Sequence, residues 1–410
     1  MNDVSLFAAF RGERYADPHS LARRLAPPYD VISPAQRAEL VAGDAYNVVN
    51  VDLPVAPDGE DPYAAAAGLL AEWRRRGVIV RDAKPSAYVL RTSGRFPDGA
   101  TRERTGVFLA VSAEPFSKGR VLPHERTHAK AKEDRRRLMH ATGANLSAVF
   151  LLAPDSAGAL TKALREVTSR APWARCSAVG SDQAIWVVGG EEARHLAAAA
   201  GAEPVYVADG HHRFETSVMF REEAPAAWRE GAARTLSHVV SFKDPGLLIL
   251  PTHRLLEGAP VAPEAFLAAA APYFSEAPAG TEPTLSVVFK GGREAPLLVR
   301  PEAELPQVGG QPVHPTVRAL EVAVADGLAI GVVAASLLGG APALRYTADA
   351  VEAREAGRDG RCACAIMLPP TRLEAVRRVA DARQIMPPKS TFFAPKVPTG
   401  VVLRPFDAPV

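Results

Sequence analysis

Apolar positions along this chain follow two spacings, and their alternation predicts an α/β fold. In "DPYAAAAGLLAEWRRRG" they recur at helical intervals: Asp61 stands at the N-cap, Pro62 at the first helical position, and basic residues precede the stop at Gly77. Ser33-Pro34 opens another helix that Gly43 ends, and "HAKAKEDRRRLMHATGA" carries a third. "SAYVLRTSGRFPDGATRERTGVFLAVS" reads as strand, turn-rich connection and strand, a hairpin. Further strands are expected at "AVFLLAP", "QAIWVVGG" and Val205–Ala208, the last two flanking the helix "EEARHLAAAAG". Asp244-Pro245-Gly246 marks a turn between two more. Beyond about Val261, helix "PEAFLAAAAPYF" is followed by strands "TLSVVFKGG" and "APLLVRP", and Pro387-Pro388 ends the helix "TRLEAVRRVADARQIM". Pro and Gly cluster between Gly258 and Pro263, which suggests a division into 1–260 and 261–410. The expectation is a large two-part globular protein of mixed α/β (α+β) class.

Composition narrows the function classes. At 410 residues the chain exceeds one minimal core, and 47% hydrophobic with 23% charged residues is ordinary for a globular protein. A net charge of +2 gives no support to a nucleic-acid scaffold or a basic membrane surface. The longest apolar run, "AIGVVAASLLGGA" from Ala329 to Ala341, falls short of the roughly 20 residues a bilayer span needs. The N-terminus lacks the basic region of a signal peptide. Three cysteines make no disulfide framework, and Cys362 and Cys364 in "RCACAIMLPP" read as one face of a buried strand. A cytoplasmic protein is expected, without nucleic-acid or membrane partners; the oligomeric state is left open.

The candidate chemistry centres on "VYVADGHHRFETS", Val205 to Ser217. If a strand stops at Ala208 and a helix starts near His212, Asp209 and Gly210 form the turn between them. Gly210 accepts backbone angles that other residues resist. The amides of His211, His212 and Arg213 then lie at a helix start, where unpartnered donors and the positive dipole end suit an anion such as phosphate. Arg213 adds a bidentate grip, the imidazoles add donors or metal ligands, and Glu215 occupies a reciprocal capping position.

A second cluster, "LPHERTHAKAKEDR", satisfies H-E-x-x-H through His124, Glu125 and His128, the zinc-protease pattern. Pro123 places His124 at or before the helix start, which disfavours that reading. The alternative makes Glu125 a general base or magnesium ligand beside the DGHHR turn. Lys132, Asp134 and Arg135 would then contact phosphate or brace the loop. "APPYDVIS" offers Tyr29 and Asp30 on a segment stiffened by two prolines, and "PPKSTFFAPK" offers Lys389 and Lys396 around Phe392 and Phe393. "LPTHRLL" places His253 and Arg254 after a strand.

The DGHHR stretch resembles the loop of the ParB/sulfiredoxin-like superfamily, which includes nucleotide-binding ParB proteins and a free-serine kinase. The whole chain resembles the family named domain of unknown function 1015. That likeness runs through "APPYDVIS", "NVVNVDLP", "TGVFLAV", "LPHERTHAKAKEDRRRLMHATGANLSAVF", "VADGHHRFETS", "LPTHRLL" and "MPPKSTFFAPKVPTG". The resemblance implies a ParB/sulfiredoxin-like phosphate-binding core and a nucleotide-dependent phosphotransferase using ATP or ADP with Mg2+ on a small hydroxyl metabolite, free L-serine among them. Under it, Gly210, His211, His212, Arg213, Arg135, Lys389 and Lys396 would hold phosphate. Asp209 and Glu125 would hold metal, and Glu125, Asp30, Asp209, His211 and His212 would serve transfer. No P-loop or protein-kinase signature is present. Two alternatives stay open: a nucleotide-binding switch without transfer, and a metal-dependent hydrolase using His124, His128, His211 and His212. Sulfiredoxin-type chemistry is disfavoured, since no cysteine lies in or beside the loop.

Overall fold

The period-two segments of the first half pair into one nine-stranded sheet. The computed structural model describes residues 5–56, 59–127 and 129–407. Contacts divide the chain into two units: Met1–Pro123, Thr127–Leu247 and Pro395–Val410 form the first, His124–Arg126 and Leu248–Ala394 the second. The division expected at 260/261 therefore falls inside the second unit.

The strands of this sheet, all in the first unit, are β1 (Phe7–Ala8), β2 (Ser86–Arg95), β3 (Thr101–Ser112), β4 (Val121–Leu122), β5 (Val149–Ala153), β6 (Ala174–Ala178), β7 (Ser181–Gly189), β8 (Val205–Asp209) and β9 (Arg234–Ser241). Their order is β4-β8-β5-β9-β3-β2-β7-β6, with β1 on β3. The β2–β3 hairpin is antiparallel, whereas β9 runs parallel to β5 and β8 to β4. The helices are α1 (Pro34–Gly43), α2 (Pro62–Arg75), α3 (Ala129–Thr142), α4 (Ala159–Thr168), α5 (Gly190–Ala200) and α6 (His211–Glu223). Ser33 and Asp61 cap α1 and α2, their side chains accepting from the Gln36 and Tyr63 amides.

One sheet face is mostly apolar: Val107, Leu109, Val149, Leu151, Val207 and Val239 pack under Leu160 and Leu164 of α4, Leu196 of α5 and Phe214 of α6. Phe214 stacks on Phe116, ring centroids 5.0 Å apart. Burying these branched and aromatic side chains is the main force holding helices to sheet, at roughly 1.5–3 kcal/mol for each fully buried one. Residues paired across the opposite face form a row: Tyr88, Phe108, His238, Phe150 and Asp209.

Asp209 joins that row through a bulge. Tyr206 pairs with Leu152 and Val207 with Leu151, but Asp209 pairs with Phe150, leaving Ala208 extra. Strict alternation would have put Asp209 on the apolar face with Val205 and Val207. The inserted residue turns the carboxylate to the other face, a use to which bulges near functional sites are often put.

The second unit is an antiparallel sheet. Its strands are β10 (Leu248–Leu250), β11 (His253–Leu256), β12 (Phe274–Glu276), β13 (Leu285–Val288), β14 (Glu294–Val299), β15 (Leu344–Thr347), β16 (Cys364–Met367) and β17 (Phe392–Ala394). The main sheet has order β12-β14-β13-β16-β11-β15, and β10 pairs with β17 apart from it. Its helices include α7 (Pro263–Ala270), α8 (Ala350–Arg358) and α9 (Leu373–Asp381), with Ala353 and Ala356 of α8 packed on Leu255, Val288 and Ala365. Cys362 and Cys364 are both buried, and burial pushes both thiols up. The apolar run is longer than it reads in sequence. A continuous helical stretch, Glu321–Leu338, is long and apolar enough to cross a membrane by length and composition, and half of it is buried inside the protein. Its middle, Ala325–Ala334, is π-helical.

Candidate functional site

Gly210 ends β8 and caps α6 with φ 89° and ψ 30°, and no side chain caps the helix. An added Cβ would meet the Arg213 guanidinium at 2.9 Å from Nε and 3.0 Å from Cζ, so both backbone angle and space require glycine here. The Gly210 amide donates to Asp209 Oδ1 at 2.9 Å. That amide is therefore satisfied within the loop, and Gly210 serves the turn before it serves any ligand.

Asp209 is the electrostatic centre. Lys396 Nζ donates to its Oδ2 at 3.1 Å, from a position 187 residues further along the chain. Arg213 Nη2 lies 3.5 Å from the same oxygen. Burial alone would raise the Asp209 carboxyl, but Lys396, Arg213 and His211 outweigh it and hold the group well below the usual carboxylate range. The carboxylate is ionised at neutral pH and both its oxygens are engaged. A carboxylate held this low is a weak proton acceptor.

Arg213 points inward. Its side chain is 9% exposed, and Nη1 donates to the Ala148 carbonyl. That bond ties α6 to the segment leading into β5. His211 is buried within electrostatic reach of Asp209, and His212 is half-buried, its carbonyl accepting from Thr216 Oγ1 at 2.7 Å. Glu215 does not cap the helix: its Oε2 accepts from Thr127 Oγ1 at 2.5 Å and Lys132 Nζ at 2.9 Å, joining α6 to α3 and to Thr127.

Arg135 is also held by protein groups. It is buried, donates to Asp134 Oδ2 at 2.7 Å and to the Asp52 carbonyl at 2.8 Å, and lies 3.8 Å from the Tyr29 ring centroid. Asp52 is itself buried and accepts from Ser147 Oγ at 2.6 Å. Sequence reasoning passed over Asp52; the signal was an acid directly after the apolar run of "NVVNVD". Tyr29 is pushed up to about 12 by burial, with Arg213 and Arg135 opposing.

Asp30, next in the 3-10 turn Tyr29–Val31, is exposed and has no hydrogen bond or ion pair among the described residues. It is within electrostatic reach of Arg213 and Asp52. The first unit thus assembles Asp30, Asp209, Gly210, His211, His212, Arg213, Arg135 and Lys396. Glu125 and Lys389 belong to the second unit.

The H-E-x-x-H stretch is described only in part. His124 is buried, lies in the extended segment ahead of α3, and its Nε2 meets Thr391 Oγ1 at 3.0 Å. His128 lies outside the described residues. Among the described residues no three His, Cys, Asp or Glu side chains gather as a metal cage would require. A cavity of about 30 Å³ lined by Asp52, Arg135, Ser147 and Arg213 has room for one water, not a nucleotide. A cavity of about 460 Å³ elsewhere on this unit, lined by Thr161, Arg165, Lys243 and Asp244, includes none of the DGHHR residues.

Comparison with known proteins bears on the family. No curated protein matches the chain. Free serine kinase in complex with AMP is 14% identical with TM-score 0.35, covering 70% of this chain and 87% of its own. A variant of free serine kinase in complex with ADP gives 14% and 0.36 over the same shares, 70% and 87%. A conserved hypothetical protein from Pyrococcus furiosus gives 12% and 0.35, covering 72% of this chain and 93% of its own. The sequence profile of the family described as "Protein of unknown function (DUF1015)" matches residues 7–323, and this chain belongs to that family.

Proposed function

We propose that this protein is a nucleotide-dependent phosphotransferase acting on a small hydroxyl metabolite. The observation that carries the reading is the corner at the end of β8, where a bulge turns Asp209 out of the core and Lys396 reaches it from a remote segment, at the start of α6. Phosphoryl transfer asks mainly for positioning and charge neutralisation. Lys396 and the dipole end of α6 supply positive potential for phosphate, and Asp209 and Gly210 hold that geometry in place. Asp30, an exposed and uncommitted carboxylate, is the group suited to take the acceptor's hydroxyl proton. Free L-serine is the acceptor the DGHHR resemblance suggests.

Magnesium commonly rides on a nucleotide with few protein oxygens and several waters. It would arrive here held chiefly by the nucleotide's phosphates. The test incubates the protein with ATP or ADP, Mg2+ and a panel of hydroxyl metabolites, with products read by phosphorus NMR. A phosphorylated acceptor formed by the protein and lost on Asp30→Asn is the expected result. Absence of product with both nucleotides across the panel overturns the reading.

A further inference from the structure

In the second unit, the backbone of "PPKS" is bound at every carbonyl. Pro387 O accepts from Ser390 Oγ at 2.6 Å, Pro388 O from Arg254 Nη2 at 3.1 Å, Lys389 O from Arg254 Nη1 at 3.2 Å, and Ser390 O from Thr371 Oγ1 at 2.7 Å. Arg254 is fully buried and donates to the Thr252 carbonyl as well. Its guanidinium is fixed by Asp326, whose Oδ1 is 3.0 Å from Nε. Asp326 stands in the π-helical segment Ala325–Ala334, a helix form often found at functional sites.

What this scaffold holds is a strained lysine. Lys389 has φ 55°, in the left-handed region that residues with a Cβ resist. Its side chain is exposed and makes no hydrogen bond or ion pair among the described residues. Strain of this kind persists only where the surroundings over-determine it, and it concentrates at ligand clamps. Here the two Arg254 nitrogens grip the carbonyls on either side of the strained residue's amide. A lysine ammonium on a fixed backbone is a point charge suited to phosphate oxygens.

We propose that Lys389 is an anion-binding residue for a polyphosphate, and that Arg254, locked by Asp326, is its positioning residue. Identifying the anion as a nucleotide's phosphates rests on the phosphotransferase reading; the geometry does not.

The test is calorimetric titration of the full chain with inorganic pyrophosphate and with ADP plus Mg2+. Lys389→Ala is expected to weaken binding about tenfold or more, the loss of one charge-assisted contact. Arg254→Lys keeps the charge but loses the fork, so it weakens binding comparably. The double variant is expected to be little worse than either single one, because both act through one ammonium. Lys389→Gly separates this from misfolding: glycine relieves the strain, so its melting temperature does not drop while its affinity falls as in Lys389→Ala. Wild-type affinity in Lys389→Gly, or full additivity in the double variant, overturns the proposal. If Lys396→Ala abolishes binding while the Lys389 variants bind normally, the phosphotransferase corner survives and this proposal falls. The converse pattern keeps Lys389 and removes the corner. No binding by the wild type overturns both.

Discussion

Replacing Gly210 by alanine puts a methyl group where the Arg213 guanidinium already sits. Two costs add. Holding a residue with a Cβ at φ 89° costs roughly 1–2 kcal/mol. With contacts at 2.9–3.1 Å from the new carbon, Arg213 has to move, and its buried bond to the Ala148 carbonyl is lost. A hydrogen bond from a charged donor contributes about 1.5–3 kcal/mol, so the total is about 2.5–5 kcal/mol. Gly158 provides the control: it caps α4 at φ 73° and ψ 13° with nothing within 4 Å of an added Cβ. Gly158→Ala should therefore show the backbone cost alone, roughly 1–2 kcal/mol. All four tryptophans, at 73, 173, 186 and 228, lie in the first unit, so urea unfolding followed by tryptophan fluorescence reports on the unit that contains both glycines. The difference between the two variants isolates the Arg213 contribution. Destabilisation of Gly210→Ala within about 0.5 kcal/mol of Gly158→Ala would refute the steric argument.

Three further outcomes are expected. His238 is fully buried with neither ring nitrogen bonded among the described residues, its ring 4.6 Å from that of Phe108, and burial with the nearby Arg104 charge holds it well below its ordinary value. Below about pH 6.5 the unfolded chain binds a proton that the folded one refuses, so first-unit stability should fall by about 1.4 kcal/mol per pH unit. His238→Phe should flatten that slope between pH 6.5 and pH 5 in the fluorescence assay; an unchanged slope contradicts the assignment. Asp209 has a depressed folded value, so its stabilising effect is complete above the ordinary carboxylate value near 3.9 and is lost as pH falls through the folded one. Asp209→Asn should cost about 3 kcal/mol at pH 7, with the gap to wild type closing only in strong acid, and a gap already closed at pH 5 argues against the Lys396 pairing. Asp30→Asn should leave stability within about 0.5 kcal/mol while reducing transfer about 100-fold or more; a melting temperature that falls with activity would mark Asp30 as structural.

The elements legible in sequence are those whose causes are local. Ser33-Pro34 and Asp61-Pro62 open helices because an oxygen three or two residues back accepts from an amide of the first turn, and that geometry needs no other part of the chain. The β2–β3 hairpin follows from period two around a turn. The DGHHR junction was legible for the same reason: a glycine with positive φ between a strand and a helix is a local requirement. The site's internal bonding was not. Arg213, Arg135 and Lys396 are interchangeable cations when read along the chain, and their partners lie 65, 83 and 187 residues away.

By itself, then, the sequence determined the helix and strand segments, their mixed α/β class, and the turn at Asp209-Gly210. Tertiary structure alone decided which way each charged group faces. One extra residue in β8 sends Asp209 away from the apolar face. A carbonyl at Ala148 and a carboxylate at Asp52 draw Arg213 and Arg135 inward, because a buried cation is tolerated only with partners. Lys396 reaches Asp209 while Lys389 of the same stretch folds with the other unit, because the chain crosses between units at Pro395. Those outcomes depend on backbone groups brought close by folding, and no pattern of neighbouring residues encodes them.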